Sequence, residues 1–136
     1  TTAEENLRRL GLGSRASVVV GEWTEPVTGL FDIVVSNPPY IATREIETLE
    51  PEVARFDPRR ALDGGSDGLA AYRVLIPTLP RMLAPAGLAA VEIGQGQAEE
   101  VARLFRAAGL DPQTPRADLS GVERVVLARA EKPQKR

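Results

Sequence analysis

A tetrapeptide with two adjacent prolines, Asn37-Pro38-Pro39-Tyr40, follows directly on the apolar run at residues 31–36. Proline has no backbone N–H and a fixed φ, so a strand through the apolar run must end where the prolines begin. In an open α/β sheet, ligands bind beyond the carboxyl ends of the strands. The tetrapeptide is therefore predicted to form a rigid loop at the binding edge of a sheet. Its amide side chain, fixed carbonyls and aromatic ring suit a flat group that carries N–H donors.

Short apolar runs alternate with helical patterns along the chain, which is typical of an α/β fold. Helices are predicted at residues 3–10, 69–83 and 98–108, with breaks at Pro77 and Pro80 in the second. Strands are predicted at residues 18–20, 31–36, 88–93, 113–116 and 124–130, with a turn at 84–87. The last two strands follow each other directly, which predicts an antiparallel edge. Residues 42–68 form a long connection, which is expected to contribute to a binding site or a lid.

Composition narrows the chemistry that the chain can perform. The 136 residues include no Cys and no His, which excludes disulfides, Cys or His nucleophiles and the common zinc sites on this chain. Carboxylates, amides, hydroxyls, backbone groups or a cofactor must do any chemistry. The net charge of −2 argues against a protein that coats nucleic acid. We expect one domain over residues 1–130, a polar tail at 131–136 and, since no signal or membrane-spanning pattern is found, a cytoplasmic location.

The segments that follow the tetrapeptide give the sequence a resemblance to a known family. They are Pro51-Glu52-Val53, Phe56-Asp57-Pro58, the Gly-rich stretch from Ala61 to Arg73, Glu92-Ile93-Gly94 with Gln97, and Asp118 to Val125. Together with the tetrapeptide they resemble the S-adenosylmethionine-dependent protein glutamine N5-methyltransferases, which modify peptide chain release factors. The tetrapeptide alone is shared with DNA adenine and ribosomal RNA guanine methylases, so by itself it indicates only methylation of a planar nitrogen.

The resemblance implies a Rossmann-like class I methyltransferase fold with an antiparallel C-terminal edge. Family members carry, ahead of the matching region, a substrate-recognition domain, a strand that leads into a glycine-rich cofactor loop, and a strand that ends in an acidic residue. The chain would then be a C-terminal part of such an enzyme, incomplete at its N-terminus. The 136 residues alone are expected to be inactive and to bind S-adenosylmethionine weakly or not at all.

The resemblance also assigns the catalytic residues. The side-chain oxygen of Asn37 and the carbonyl of Pro38 would accept the two N–H groups of a glutamine amide, so that the nitrogen lone pair points at the methyl group. Tyr40 would stack on the amide plane. These acceptors bind more strongly as the nitrogen becomes positive, so neither a strong base nor a metal is expected.

Cofactor and substrate contacts are expected to come from three segments. Glu22, Trp23 and Asn37 would bind the cofactor, with Glu22 accepting a hydrogen bond from the adenine amino group. Alternatively, Glu22 is a solvated turn residue and Trp23 a core anchor. The substrate glutamine, which lies in a Gly-Gly-Gln tripeptide, would be contacted by Asn37, Pro38, Pro39, Tyr40, Glu52 and Phe56.

Further expectations concern charged residues outside the tetrapeptide. Glu92 and Arg124 are predicted to form a structural ion pair, because buried charges persist mainly when paired. Asp63 or Asp67 is predicted to cap the helix that follows.

Two other functions stay open: a nucleic-acid adenine or guanine N-methyltransferase with Tyr40 stacked on a flipped base, and a non-catalytic fragment that binds release factors.

Overall fold

The computed structural model describes residues 1–49 and 58–130, which form a mixed α/β structure. Within them, one sheet has five strands: β1 (Phe31–Ser36), β2 (Leu83–Glu92), β3 (Leu110–Pro112), β4 (Arg116–Ala117) and β5 (Glu123–Ala130). Their order in the sheet is β1-β2-β5-β3, and β4 also pairs with β5. The α-helices are α1 (Thr2–Arg9), α2 (Arg59–Leu62), α3 (Ala70–Leu75) and α4 (Ala98–Ala107), and 3₁₀ helices cover Thr43–Thr48 and Ile76–Arg81.

Strand pairing brings three chain segments to one edge of the sheet. β1 runs parallel to β2, with Ser36 opposite Val91, so the carboxyl ends of both strands lie together. β5 runs antiparallel to β2, with Glu92 opposite Val125, so β5 begins where β2 ends. The predicted antiparallel arrangement at the C-terminal side is confirmed. The tetrapeptide, the end of β2 and the start of β5 thus meet at the predicted binding edge.

The core lies on one face of this sheet. Alternate residues of β2 and β5 point into it, and α3, the second 3₁₀ helix and α4 cover them. Its fully buried large side chains are Tyr72, Phe105, Ile76, Leu79, Ile93, Val91, Val101 and Val126. A strand buries every second residue against such a layer, which explains why Ala89, Val91 and Ile93 are all inaccessible.

On the opposite face of the sheet, apolar side chains of β1 are exposed. Ile33 and Val35 are 63% and 73% exposed, and their partners on β2 are Leu88 and Ala90. The strand predicted at residues 31–36 is therefore confirmed, but its apolar side chains on this face are not buried. β1 ends the strand order, and no described helix covers this side of it.

The predicted strand at residues 18–20 is wrong. The segment is in no regular element, and Val19 and Val20 are 57% and 84% exposed. Three β-branched residues favour a strand, but a strand also needs a neighbour for its backbone hydrogen bonds. Residues 18–20 pair with no strand in the described part of the chain.

Other element predictions are confirmed or corrected in detail. The helices predicted at residues 3–10 and 98–108 are confirmed within one residue. The helix predicted at residues 69–83 divides into α3 and the 3₁₀ helix Ile76–Arg81, which contains both prolines. The predicted turn at 84–87 is an irregularity inside β2, where Ala86 has φ 63°. The single strand predicted at 113–116 is replaced by the short strands β3 and β4 on either side of it. Among the described residues, no helix is long and apolar enough to cross a membrane.

Candidate functional site

The tetrapeptide begins directly where β1 ends, at Ser36. Asn37 is exposed, Pro38 is buried, and Pro39 and Tyr40 are half-buried. Within residues 1–49 and 58–130, no donor is hydrogen-bonded to the Asn37 side chain or to the Pro38 carbonyl. The loop therefore presents an amide to solvent from a backbone that its two prolines and the burial of Pro38 hold in place.

Tyr40 is fixed by its hydroxyl and by the packing of its ring. The hydroxyl donates to Glu92 Oε1 at 3.0 Å. A Cβ at Gly94 would lie 3.0 Å from the Tyr40 ring, so the ring lies close over this glycine. Burial, and then the hydrogen bond to the Glu92 carboxylate, raise the pKa of Tyr40 above its usual value. Tyr40 is therefore a neutral, oriented aromatic ring near pH 7.

Gln97 connects this loop to two glycine-containing turns. Its Nε2 donates to the Tyr40 carbonyl at 2.9 Å and lies 3.4 Å from the Gly68 carbonyl. Its Oε1 accepts the Gly94 N–H at 2.9 Å. One amide side chain thus joins the end of the tetrapeptide, the turn before α3 and the turn after β2.

Tyr72 completes this network from the core side. It is fully buried, and its hydroxyl donates to the Glu92 carbonyl at 2.8 Å, with Gln97 Oε1 3.3 Å away. Burial raises the pKa of Tyr72 strongly. A buried hydroxyl needs a partner, and these acceptors explain why a tyrosine can occupy the centre of the core. Tyr72 therefore anchors the end of β2, from which Glu92 reaches Tyr40.

The Gly-rich segment is held against the loop by short hydrogen bonds. The Ile41 N–H donates to the Leu62 carbonyl at 3.1 Å, and the Gly64 N–H donates to the Ile41 carbonyl at 2.8 Å. Asp63 accepts from the Thr43 hydroxyl at 2.7 Å and from the Gly65 N–H at 3.0 Å. The hydrogen bond from Thr43 is the main cause that lowers the pKa of Asp63. Asp63 therefore organises the turn after α2, and the prediction that it caps the helix that follows is wrong.

Asp67 forms the second carboxylate-centred turn. It pairs with Arg73 at 2.6 Å and accepts the Leu69 N–H at 3.1 Å, just before α3 begins. The Arg73 hydrogen bonds are the main cause that lowers the pKa of Asp67 to about 2. The prediction that Asp67 caps the helix is wrong, because no side chain of the described residues caps α3. Asp67 instead accepts the N–H of Leu69, the residue before the helix.

Two adjoining cavities open beside Tyr40. One holds about 470 Å³ and the other about 360 Å³, and both are lined by Tyr40, Glu45, Gln95 and Gln97. The first extends to Leu49 and the second to Ser66 and Asp67. The 3₁₀ helix Thr43–Thr48 and the turn after β2 form the facing walls. Their lining offers both hydrogen-bonding groups and apolar surface.

Of the three predicted cofactor contacts, Glu22 and Trp23 precede β1 and Asn37 follows it. Trp23 is 44% exposed, which rules out the alternative of a core anchor, and it lines a cavity of about 340 Å³ with Val34, Ser36 and Leu75. Glu22 is exposed and does not line that cavity in the described part of the structure. The same cavity is lined by β1 from Phe31 to Ser36, so the structure places Trp23 beside this strand but leaves Glu22 in solvent.

The predicted Glu92–Arg124 ion pair is wrong. Arg124 Nε lies 2.9 Å from Asp118 Oδ2, while the Glu92 carboxylate accepts the Tyr40 hydroxyl. Asp118 also accepts two backbone N–H groups of its own turn, so it is the better placed partner for the arginine. Two of the predicted substrate contacts, Glu52 and Phe56, lie outside the described residues.

No protein-family model matches the chain. The release factor glutamine methyltransferase of Rhodospirillum rubrum is 58% identical over 127 residues, which are 93% of this chain and 39% of that protein. The enzyme of the same name from Caulobacter vibrioides is 56% identical over 129 residues, 92% of this chain and 44% of that protein.

The resemblance to release factor glutamine methyltransferases is confirmed. The chain spans about two fifths of the length of these curated relatives. A solved structure of the protein-(glutamine-N5) methyltransferase from Alicyclobacillus acidocaldarius is 30% identical and covers 75% of this chain and 50% of that one. Its TM-score is 0.45, so the similarity to the family rests on the sequences.

Within this methyltransferase-like segment, the motifs that carried the resemblance converge in space. Tyr40, Gly68 and the segment from Glu92 to Gln97 are three separate places in the chain that hydrogen bonds join here. Sequence reasoning noted Gln97 as part of a motif but gave it no role. Its signal was its place just after a strand-ending Gly94, which put it at the same sheet edge as Tyr40.

Proposed function

We propose that this chain contributes the amide-binding part of an S-adenosylmethionine-dependent methyltransferase, which methylates the N5 atom of a release-factor glutamine. The observation that carries the proposal is the exposed Asn37 amide on a rigid strand-end loop, whose Tyr40 is held by both its hydroxyl and its carbonyl. The high identity to proteins named for this reaction supports the choice of substrate.

The proposed chemistry requires orientation rather than a strong base. A glutamine amide nitrogen is a poor nucleophile because its lone pair is delocalised into the carbonyl. Asn37 Oδ1 and the Pro38 carbonyl accept its two N–H groups, and the neutral ring of Tyr40 supports the amide plane. Both acceptors gain strength as positive charge develops on the nitrogen, so they stabilise the transition state more than the bound substrate. The proton then leaves to water.

S-adenosylmethionine supplies an electrophilic methyl group on a sulfonium sulfur. The described residues fit one side of a nucleoside site, because Trp23 and Ser36 line a cavity of about 340 Å³ that runs along β1. Glu22 and Asn37 are exposed, and we propose them as polar contacts to the cofactor. We propose that the peptide of the release factor binds in the cavities beside Tyr40, with Pro39, Glu52 and Phe56 among its contacts. We also propose that the reaction takes place in the cytoplasm.

The test is methyl transfer from isotopically labelled S-adenosylmethionine to a release factor. Three proteins are compared: the 136-residue chain, the Rhodospirillum rubrum relative, and a chimera in which this chain replaces the matched segment of that relative. We expect transfer by the relative and the chimera, and none by the chain alone, since it spans two fifths of the relatives. A release factor with Glu in place of the Gly-Gly-Gln glutamine is the control.

Calorimetric titration of the same proteins with S-adenosylmethionine separates binding from chemistry. Saturable binding by the chain alone would mean that Trp23, Glu22 and the Asn37 loop suffice for the cofactor. An inactive chimera that binds cofactor, or labelling of DNA or RNA in place of the release factor, would contradict the proposed function.

A further inference from the structure

The side chain of Gln97 occupies a helix-start position without serving that helix. Gln97 stands immediately before α4, where polar side chains commonly accept backbone N–H groups of the first turn. Here the side chain makes no such bond. It reaches back over the turn at Gly94 to the loop at Tyr40, and is itself half-buried. Its contacts therefore belong to the site and not to helix capping.

Both ends of this amide are used. Nε2 donates to the Tyr40 carbonyl at 2.9 Å, and Oε1 accepts the Gly94 N–H at 2.9 Å with the Tyr72 hydroxyl 3.3 Å away. At neutral pH, where carboxyl groups are ionised, only a side-chain amide carries a donor and an acceptor on one carbon, which leaves Gln and Asn. Asn is one methylene shorter, so Gln alone combines this chemistry with this reach.

Two glycines close the slot that holds the amide. A Cβ at Gly68 would lie 2.7 Å from Gln97 Nε2, and a Cβ at Gly94 would lie 3.1 Å from Oε1. Side chains at these positions would therefore displace the amide. With Glu92 on the Tyr40 hydroxyl and Gln97 on its carbonyl, the residue is held at both ends.

We infer that Gln97 is a positioning residue, which fixes the Tyr40 carbonyl and thereby the Asn37–Tyr40 loop for methyl transfer. The inference rests on the proposed function for its catalytic consequence, but its structural part stands separately. Small displacements of a substrate-orienting loop are costly, because a shift of about 1 Å can lower a rate by roughly a hundredfold. Gln97 acts through the loop and does not touch the reacting atoms.

The decisive variant is Gln97→Glu, which keeps the shape and the acceptor but removes the donor to Tyr40. In the chimera we expect kcat for release-factor methylation to fall by roughly ten- to a hundredfold, with KM for S-adenosylmethionine unchanged. Lowering the pH toward the pKa of the introduced carboxyl restores a donor, so activity relative to the unmodified chimera should recover. Gln113→Glu, the same change at an exposed position between β3 and β4, is the matched control. A kcat within twofold of the unmodified chimera, or a loss that lower pH does not reverse, would overturn the inference.

A second measurement on the 136-residue chain is independent of activity. The chain contains two tyrosines, Tyr40 and Tyr72, so 3-fluorotyrosine gives two ¹⁹F signals that both report on this network. Gln97→Glu should move or broaden the Tyr40 signal in a pH-reversible way, and Gln113→Glu should leave it in place. An unchanged Tyr40 signal would refute the positioning role. If the unmodified chimera transfers no methyl group, the proposed function fails, and the ¹⁹F result alone still decides whether Gln97 positions the loop.

Discussion

Gly68→Ala tests how closely the turn before α3 approaches the Asn37–Tyr40 loop. Gly68 has φ +76°, and a Cβ there would lie 2.5 Å from the Tyr40 carbonyl oxygen and 2.7 Å from Gln97 Nε2. The left-handed backbone costs an alanine about 1–2 kcal/mol, and overpacking of this kind costs roughly 1–3 kcal/mol more. We therefore expect Gly68→Ala to lower the free energy of unfolding by about 2–5 kcal/mol.

Gly109→Ala is the matched control for this experiment. Gly109 has φ +78°, and nothing lies within 4 Å of its Cβ position. Gly109→Ala shares the backbone strain and the unfolded-state entropy change of Gly68→Ala but not its steric collision. It should therefore lower the free energy of unfolding by about 1–2 kcal/mol. Urea denaturation followed by circular dichroism measures both variants. If Gly68→Ala is no more destabilising than Gly109→Ala, the close packing of turn, carbonyl and amide is refuted.

Three further predictions concern stability and titration. Tyr72→Phe should cost about 1–3 kcal/mol in urea denaturation, because a buried main-chain carbonyl loses its partner, and a neutral result would contradict the network. Val91→Ala should cost about 2 kcal/mol and Val35→Ala less than about 0.5 kcal/mol, since they are 1% and 73% exposed; equal losses would mean that both faces of the sheet are buried. Asp67 should titrate by NMR near its pKa of about 2, and its contribution to stability, present above the unfolded-state pKa of about 3.9, should be lost as the pH falls toward 2. Arg73→Ala should remove most of the pKa shift, because Arg73 is its largest cause, and an unchanged pKa would contradict this assignment.

Local signals predicted the parts of the fold that depend on local physics. The prolines after Ser36 fixed the end of β1, and the amphipathic spacing before Gly109 predicted α4 within a residue. The strand predicted at Val18–Val20 is wrong because strand propensity does not show whether a partner strand is present. The same limit explains Ile33 and Val35, since an apolar run does not say which face another element covers.

The candidate site was predictable in its first residues but not in its supports. Asn37 and Tyr40 could be predicted as site residues from their residue types and their position directly after a strand. The partner of Glu92 could not be predicted, because it depends on side-chain geometry at the sheet edge. Arg124 prefers Asp118, whose turn is already built around the carboxylate, and this leaves Glu92 to accept the Tyr40 hydroxyl. Gln97 contacts Tyr40 across 57 residues of sequence, a distance over which periodicity carries no information.

The most direct test of the proposed methyl-transfer site is Asn37→Ala in the chimera, with Asn6→Ala on the exposed helix α1 as the control. Mass spectrometry would locate the labelled methyl group on the release factor and measure its rate of appearance. The proposal predicts methylation of the glutamine side-chain nitrogen by the unmodified and Asn6→Ala proteins, and a loss of roughly a hundredfold or more in Asn37→Ala. Undiminished transfer by Asn37→Ala, or a methyl group on any other residue, would contradict it.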